Sequence, residues 1–218
     1  MFLLPLIIFY EVASLFIDPG GMAAARDRVI AFRLLQIFFE LFGVTGVLLP
    51  GFAVIAILLA THVASRQRWR VNTHGVAFMY IESLLWALPL VALNQFTNIA
   101  AADAPAQTWV ANVALCVGAG IYEELVFRLA LIGLIVIVGV DILRFPQSST
   151  LIAAVLIAAG LFALHHHPPF GGEPFDVFRF TFRSLAGVYL GAIFVVRGYG
   201  PAAGAHIGYN LLVIAMVP

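Results

Sequence analysis

The sequence has no lysine, a single cysteine and very little charge of either sign. Its 218 residues carry 11 basic groups, all of them arginine, and 11 acidic ones, for a net charge of zero and a charged fraction of 10%. A soluble domain carries about 25% charged residues, so this chain could not cover its own surface in water. The even balance of charge also removes the electrostatic footprint expected of a nucleic-acid binder. Cys116 cannot form an internal disulfide, and no basic group adjoins it to favour a thiolate. It therefore reads as a small core residue rather than a nucleophile. Catalytic signatures are missing too: no serine or cysteine sits in a nucleophile setting, and neither His-Glu-x-x-His nor a paired-aspartate arrangement occurs.

What the chain has is apolar length. Hydrophobic residues make up 63% of it, and mean hydropathy is +1.05. A bilayer removes the need for a polar surface, and about 20 mostly apolar residues span it as a helix. Apolar runs lie at 2–17, 30–48, 51–65, 75–93, 109–140, 150–167, 180–196 and 201–217. The expected fold is an all-α polytopic bundle of about eight spans, with residues 1–218 forming a single integral membrane domain. No repeat, heptad pattern or low-complexity tail divides it. The first run lacks a basic leader, contains Glu11 and has no small-residue cleavage pattern after it, so it reads as a retained span. The segment 23–33, with Arg26, Asp27, Arg28 and Arg33, reads as interfacial.

Arginine placement orients the spans, because short cytoplasmic loops are enriched in basic residues. Arg26, Arg28, Arg66, Arg68, Arg70, Arg144 and Arg197 fall on one side, taken as cytoplasmic. The loops at 94–108 and 168–176, holding Asp103, Glu173 and Asp176, fall on the other. Arg179 and Arg183 break the rule. The absence of lysine beside abundant arginine, alanine and glycine suits a GC-rich prokaryote, and the expected location is a bacterial cytoplasmic (inner) membrane.

Charged groups inside spans are the most informative residues, since each costs roughly 2.5–3.5 kcal/mol at a helix centre on insertion scales. Glu123, Glu124 and Arg128 lie within six residues of one run, a naive penalty of about 8–10 kcal/mol. They must face protein or a wet cavity. Glu124 and Arg128 are four apart and share a helix face, so they can pair. Glu123 is rotated about 100° from Glu124 and is left for other work. This cluster reads equally as a structural ion-pair network at a helix end. A second polar site is the triplet His165, His166 and His167, which points in three directions and could equally be an interfacial helix end before Pro168-Pro169. A third is His206 with Asn210, stacked four apart, where the plainer reading is an inter-helix hydrogen-bond pair. Glu11, Glu40 and Glu82 have no such neighbours and read as single buried or snorkelling contacts. His62 and His74 read as interfacial. Together the three sites supply what peptide hydrolysis requires, a base to activate water and donors for the oxyanion.

The pattern resembles the CPBP intramembrane proteases, which include the type II CAAX prenyl endopeptidases and bacterial Abi proteins. Glu123, Glu124, Phe127 and Arg128 match Glu-Glu-x-x-x-Arg with its frequent preceding Phe. Phe162 and His166 match Phe-x-x-x-His, and His206 and Asn210 match His-x-x-x-Asn. Gly187-Val188-Tyr189-Leu190-Gly191 is similar to the glycine-bearing helix before the third motif, whereas Leu129 stands where many members have Gly. The match covers 109–212 as a catalytic core and leaves the spans of 1–108 without a motif. The resemblance implies an intramembrane endopeptidase of the glutamic type. In it Glu123 with His166 would activate water, His206 and Asn210 would stabilise the oxyanion, and Glu124 and Arg128 would support. It implies no cofactor and no metal; a Zn²⁺ variant held by Glu123 and two His is the alternative. The implied partners are a lipid bilayer and a membrane-anchored protein or peptide substrate, cleaved in CAAX-like processing or in removal of a C-terminal anchor. A non-catalytic immunity or scaffold protein, or a transporter with a Glu-His relay, remains the competing class. One geometric conflict follows. His166 ends one run, His206 lies near the start of another, and a single span separates them, so straight full-length helices would hold them about 25 Å apart. The expected resolution is that the 150–167 helix stops within the membrane depth and 168–176 dips inward beside a hydrated cavity.

Overall fold

A computed structural model describes residues 2–17, 29–46, 48–66, 72–97 and 109–216. The expected interfacial residues 23–28, the loop arginines Arg68 and Arg70, and Asp103 lie outside the described residues. All regular structure among those described is helical: α1 (Leu4–Ile17), α2 (Ile30–Glu40), α3 (Leu49–Ala64), α4 (Thr73–Thr97), α5 (Trp109–Ile142), α6 (Gln147–Leu164), α7 (Val177–Arg197) and α8 (Tyr199–Met216). Each stands where an apolar run predicts a helix.

Not all of them are long enough to cross a bilayer. Thr73–Gln95 of α4, α5, α6 and α7 are the four long and apolar enough to do so; α1 and α3 are shorter apolar helices. The run at 30–48 gives a helix of only 11 residues ending at Glu40, a rise of about 16 Å or half a hydrocarbon core. α8 has the 18 residues of α6 but is less apolar. Its first half, including Ala202, Ala203, Gly204 and Ala205, is buried against α4, α5 and α7. Protein rather than lipid surrounds it, and small residues rather than large apolar ones suit that position.

The core joins both halves of the chain. Phe2, Ile7, Tyr10 and Phe32 from the N-terminal helices pack with Ile121, Tyr122 and Leu125 of α5 and with Tyr199 and Ile207 of α8. Outward faces are apolar and exposed, among them Phe52, Phe78, Leu134, Ile152, Phe178 and Val196, the surface a lipid environment accepts. Integral membrane placement follows from these helices.

Local chemistry sets the ends that matter for the site. The α6 helix stops at Leu164 because Pro168 and Pro169 cannot continue it. The chain then turns through 165–176 before Asp176 caps α7, its Oδ1 accepting from the Arg179 backbone N–H at 2.8 Å. Gly198, at φ +89°, ends α7 in a conformation that favours glycine and lets α8 begin at the next residue. Along the α6–α7 seam a Cβ on Gly187 would meet the Cα of Ala159 at 2.9 Å. Only glycine permits that approach.

Candidate active site

The α5 rod is regular α-helix to Glu124 and then turns to π geometry over Leu125–Ile132, a departure often found at functional sites. Glu124 and Arg128 flank that change and pair at 2.9 Å, both fully buried. The Arg128 guanidinium also lies 4.4 Å over the Phe162 ring of α6 and donates through Nη2 to the Gly187 carbonyl of α7 at 3.4 Å. Glu124 receives a second partner, His206 Nδ1 of α8, at 2.9 Å. The pair that the spacing of Glu124 and Arg128 suggests thus ties α5 to α6, α7 and α8.

Glu123 points elsewhere. Its Oε1 lies 3.6 Å from His165 Nε2 and its Oε2 lies 3.8 Å from His206 Nε2. Glu123, His165 and His166 each place a ligand-capable atom within 4.8 Å of the others. The α6 terminus arranges the two neighbouring rings, since the Phe162 carbonyl accepts from His165 Nδ1 at 2.5 Å and from His166 Nδ1 at 3.0 Å. A carbonyl can only accept, so both Nδ1 atoms carry hydrogen and a neutral ring presents a bare Nε2. The same logic places hydrogen on Nδ1 of His206, which faces the Glu124 carboxylate. Burial pushes the His166 imidazole down to about 3, against the raising pull of the Glu123 carboxylate, which leaves that ring neutral. His167 turns away, bonding the Glu173 carbonyl at 3.1 Å and stacking near Phe175.

A cavity of about 220 Å³ opens beside these groups, lined by Glu123, Phe162, His166, His206 and Asn210. The two imidazoles that straight helices would separate thus reach one carboxylate. Both rings flank Phe162, with centroids at 5.3 Å for His166 and 5.9 Å for His206. The α6 helix runs a full 18 residues to Leu164, long enough to cross a membrane; the chain then turns over 165–176, and His206 lies two turns into α8.

All six residues singled out from the sequence, Glu123, Glu124, Arg128, His166, His206 and Asn210, converge here. Sequence spacing missed two features. His165 comes to 3.6 Å from Glu123, although motif register selects His166. Arg179 and Arg183 also line the cavity, and their signal was visible as the two arginines on the wrong side of the membrane. Glu173 pairs with Arg183 at 2.8 Å and with Arg179 at 3.4 Å. Burial would raise the Glu173 carboxyl, but the hydrogen bond and charge of Arg183 outweigh it and hold the group below its usual range. The remaining acids have separate partners. Glu11 accepts from the Tyr122 hydroxyl, while Glu82 accepts from Arg197 at 2.6 and 2.9 Å and from Trp86 at 3.2 Å. Glu40 is exposed.

Fold and site together define a helical membrane protein with a buried carboxylate–imidazole centre opening on a cavity. Residues 105–212 match the family model described as type II CAAX prenyl endopeptidase Rce1-like. This segment, which holds every residue named at the centre, is a domain of that family of membrane proteases. Comparison with curated proteins and with solved structures returned no match.

Proposed function

We propose that this chain is an intramembrane endopeptidase in which Glu123 activates the attacking water. The observation that carries the reading is the Glu123 carboxylate held between two imidazole nitrogens at 3.6 and 3.8 Å, on the wall of a cavity that also presents Asn210. Both separations exceed hydrogen-bond length, and Glu123, His165 and His166 hold their ligand-capable atoms within 4.8 Å of one another, so a water seated on the cavity side of the carboxylate can reach Glu123 and a ring nitrogen together. Glu123 takes a proton from that water, with the neutral His166 Nε2 accepting its other hydrogen bond, and the hydroxide adds to the peptide carbonyl carbon. The carbonyl oxygen becomes an oxyanion facing His206 Nε2 and the Asn210 amide. Glu123 then returns its proton to the departing amine as the C–N bond breaks, so one water is consumed per bond cleaved. For His206 to donate from Nε2 while Nδ1 donates to Glu124, the ring must be an imidazolium. A carboxylate beyond each nitrogen, Glu124 at 2.9 Å and Glu123 at 3.8 Å, balances that charge. Substrates are membrane-anchored proteins or peptides cut near the C-terminus, in a bacterial inner membrane.

The test is mass spectrometry of membrane-anchored proteins from cells carrying the wild-type chain or Glu123→Gln. C-terminal fragments lost in the variant support the reading. Identical profiles, with the variant folded in the membrane, would instead leave a non-catalytic scaffold.

A second reading has its own support. The Nε2 atoms of His165 and His166 are bare and oriented by hydrogen bonds through Nδ1, the arrangement that metal-ligating histidines adopt. With Glu123 they could hold Zn²⁺, which would supply a polarised water at that position. Activity that survives strong chelators keeps Glu123 as the base. Loss on chelation with specific recovery on adding Zn²⁺ transfers it to the ligand set.

A further inference from the structure

The mechanism above makes no use of Arg179 and Arg183, yet both line the same cavity as Glu123. They sit one turn apart near the start of α7, and only Glu173 pairs with them among the described residues. Two guanidinium groups against the one carboxylate that pairs with them leave a local excess of positive charge around Glu173. Arg183 Nη2 is engaged with Glu173, whereas Arg183 Nη1 is buried with no hydrogen-bond partner among the described residues. A buried donor on a permanently charged group is costly unless something accepts from it. Much of the remaining wall is apolar, from Leu90, Phe182, Ala186, Leu190 and Val213, so the cavity suits an aliphatic segment ending in one anion.

We propose that Arg183, assisted by Arg179, is the subsite that binds the free C-terminal carboxylate of the substrate. Resting on the endopeptidase reading, the inference names the residues of this chain that would select a substrate by its own end. A terminal carboxylate is the one anion that every such segment carries whatever its side chains, and it matches the planar fork of a guanidinium. Three extended residues reach about 10 Å, which sets the scale between scissile bond and anion. Glu173 holds the arginines in place when the cavity is empty and competes with the incoming carboxylate.

The experiment is calorimetric titration of the full-length protein in detergent with an N-acetylated aliphatic tripeptide, as free acid and as amide. It reads binding and does not depend on cleavage. Charge-assisted hydrogen bonds of this kind predict acid over amide by about 10- to 100-fold. Arg183→Gln should reduce that preference below threefold, Arg183→Lys should keep part of it, and Glu173→Gln should increase it by removing the competitor. A third ligand, the amide with Asp as its last residue, separates the sources of carboxylate. If it binds as tightly as the acid, the subsite reads an acidic side chain and the proposal is wrong. Equal binding of acid and amide, no binding of the acid at millimolar concentration, or an undiminished preference in Arg183→Gln would each overturn it too. Should Arg183→Gln not fold, Glu173→Gln decides alone, since that half-buried loop position tolerates change and a weaker preference there contradicts the competition. A clear acid preference in a protein that cleaves nothing would fail the endopeptidase reading while this subsite stood.

Discussion

Removing the charge of Arg128 is the most telling perturbation of the support beneath the site. In Arg128→Met the stem is kept and the guanidinium lost, which leaves the fully buried Glu124 carboxylate with His206 as its remaining ion-pair partner among the described residues. Breaking a buried pair from one side costs about 3–5 kcal/mol, because the partner charge remains. At about 2–4 °C per kcal/mol for a chain of this length, melting should fall by roughly 6–20 °C. Glu124→Gln strands Arg128 in the same way and should cost a similar amount. The double variant removes both charges, while the glutamine carbonyl introduced in place of Glu124 can still accept from His206 Nδ1. Its loss should therefore be far smaller than the sum of the singles, with a coupling of about 2 kcal/mol or more. The assay is thermal unfolding of detergent-solubilised protein, read by tryptophan fluorescence and monodispersity, for the four members of the cycle. Additive losses would refute the reasoning, and so would an Arg128→Met protein as stable as wild type. Either result would mean that the pair is hydrated and bears little load.

Glu123→Gln should keep the melting temperature within a few degrees of wild type, because the carboxylate makes no hydrogen bond shorter than 3.5 Å to its imidazole neighbours. Its turnover should fall by at least 10²-fold, the range for loss of a general base, as read by cleavage of a reconstituted substrate. Gly187→Ala forces α6 and α7 apart at Ala159 and should cost about 1–3 kcal/mol, checked by the same thermal assay. For Glu173, whose folded-state pKa is depressed, the stabilisation by its arginines is complete above the ordinary carboxylate pKa and disappears as pH falls through the lower folded value. The melting difference between wild type and Glu173→Gln should thus be constant from pH 8 to 6 and shrink below about pH 4.5; a difference that grows on acidification contradicts the pairing.

Helix positions were legible because apolar runs and their Pro-Gly breaks are local properties. The pairing of Glu124 with Arg128 was equally legible, being a matter of spacing four along one rod. Convergence of the three motifs came from the family resemblance, since counting spans alone would hold His166 and His206 about 25 Å apart. The rest depends on tertiary contact. The run at 30–48 gives no hint that its helix ends at Glu40. Nothing local shows that the Phe162 carbonyl fixes two rings together, which is why His165 approaches Glu123 when only His166 fits the motif. Arg179 and Arg183 appeared as exceptions to an orientation rule. That rule assumes arginine at a membrane edge faces water, and here the pair faces a cavity.

The 34 residues of α5 rise about 50 Å, against a hydrocarbon core of about 30 Å. Even a 40° tilt, near the limit for spanning helices, leaves about 38 Å to accommodate, so one end stands clear of the lipid. The rod acts as a depth gauge. With Trp109 at one interface, as an exposed aromatic prefers, Glu123 would lie about 21 Å along the axis from it. On the proposed mechanism, where a substrate is cut would then depend on bilayer thickness as well as on sequence, because a thicker or thinner membrane would slide an anchored chain past a fixed carboxylate. Lipid composition would thereby become a determinant of which bond meets the water.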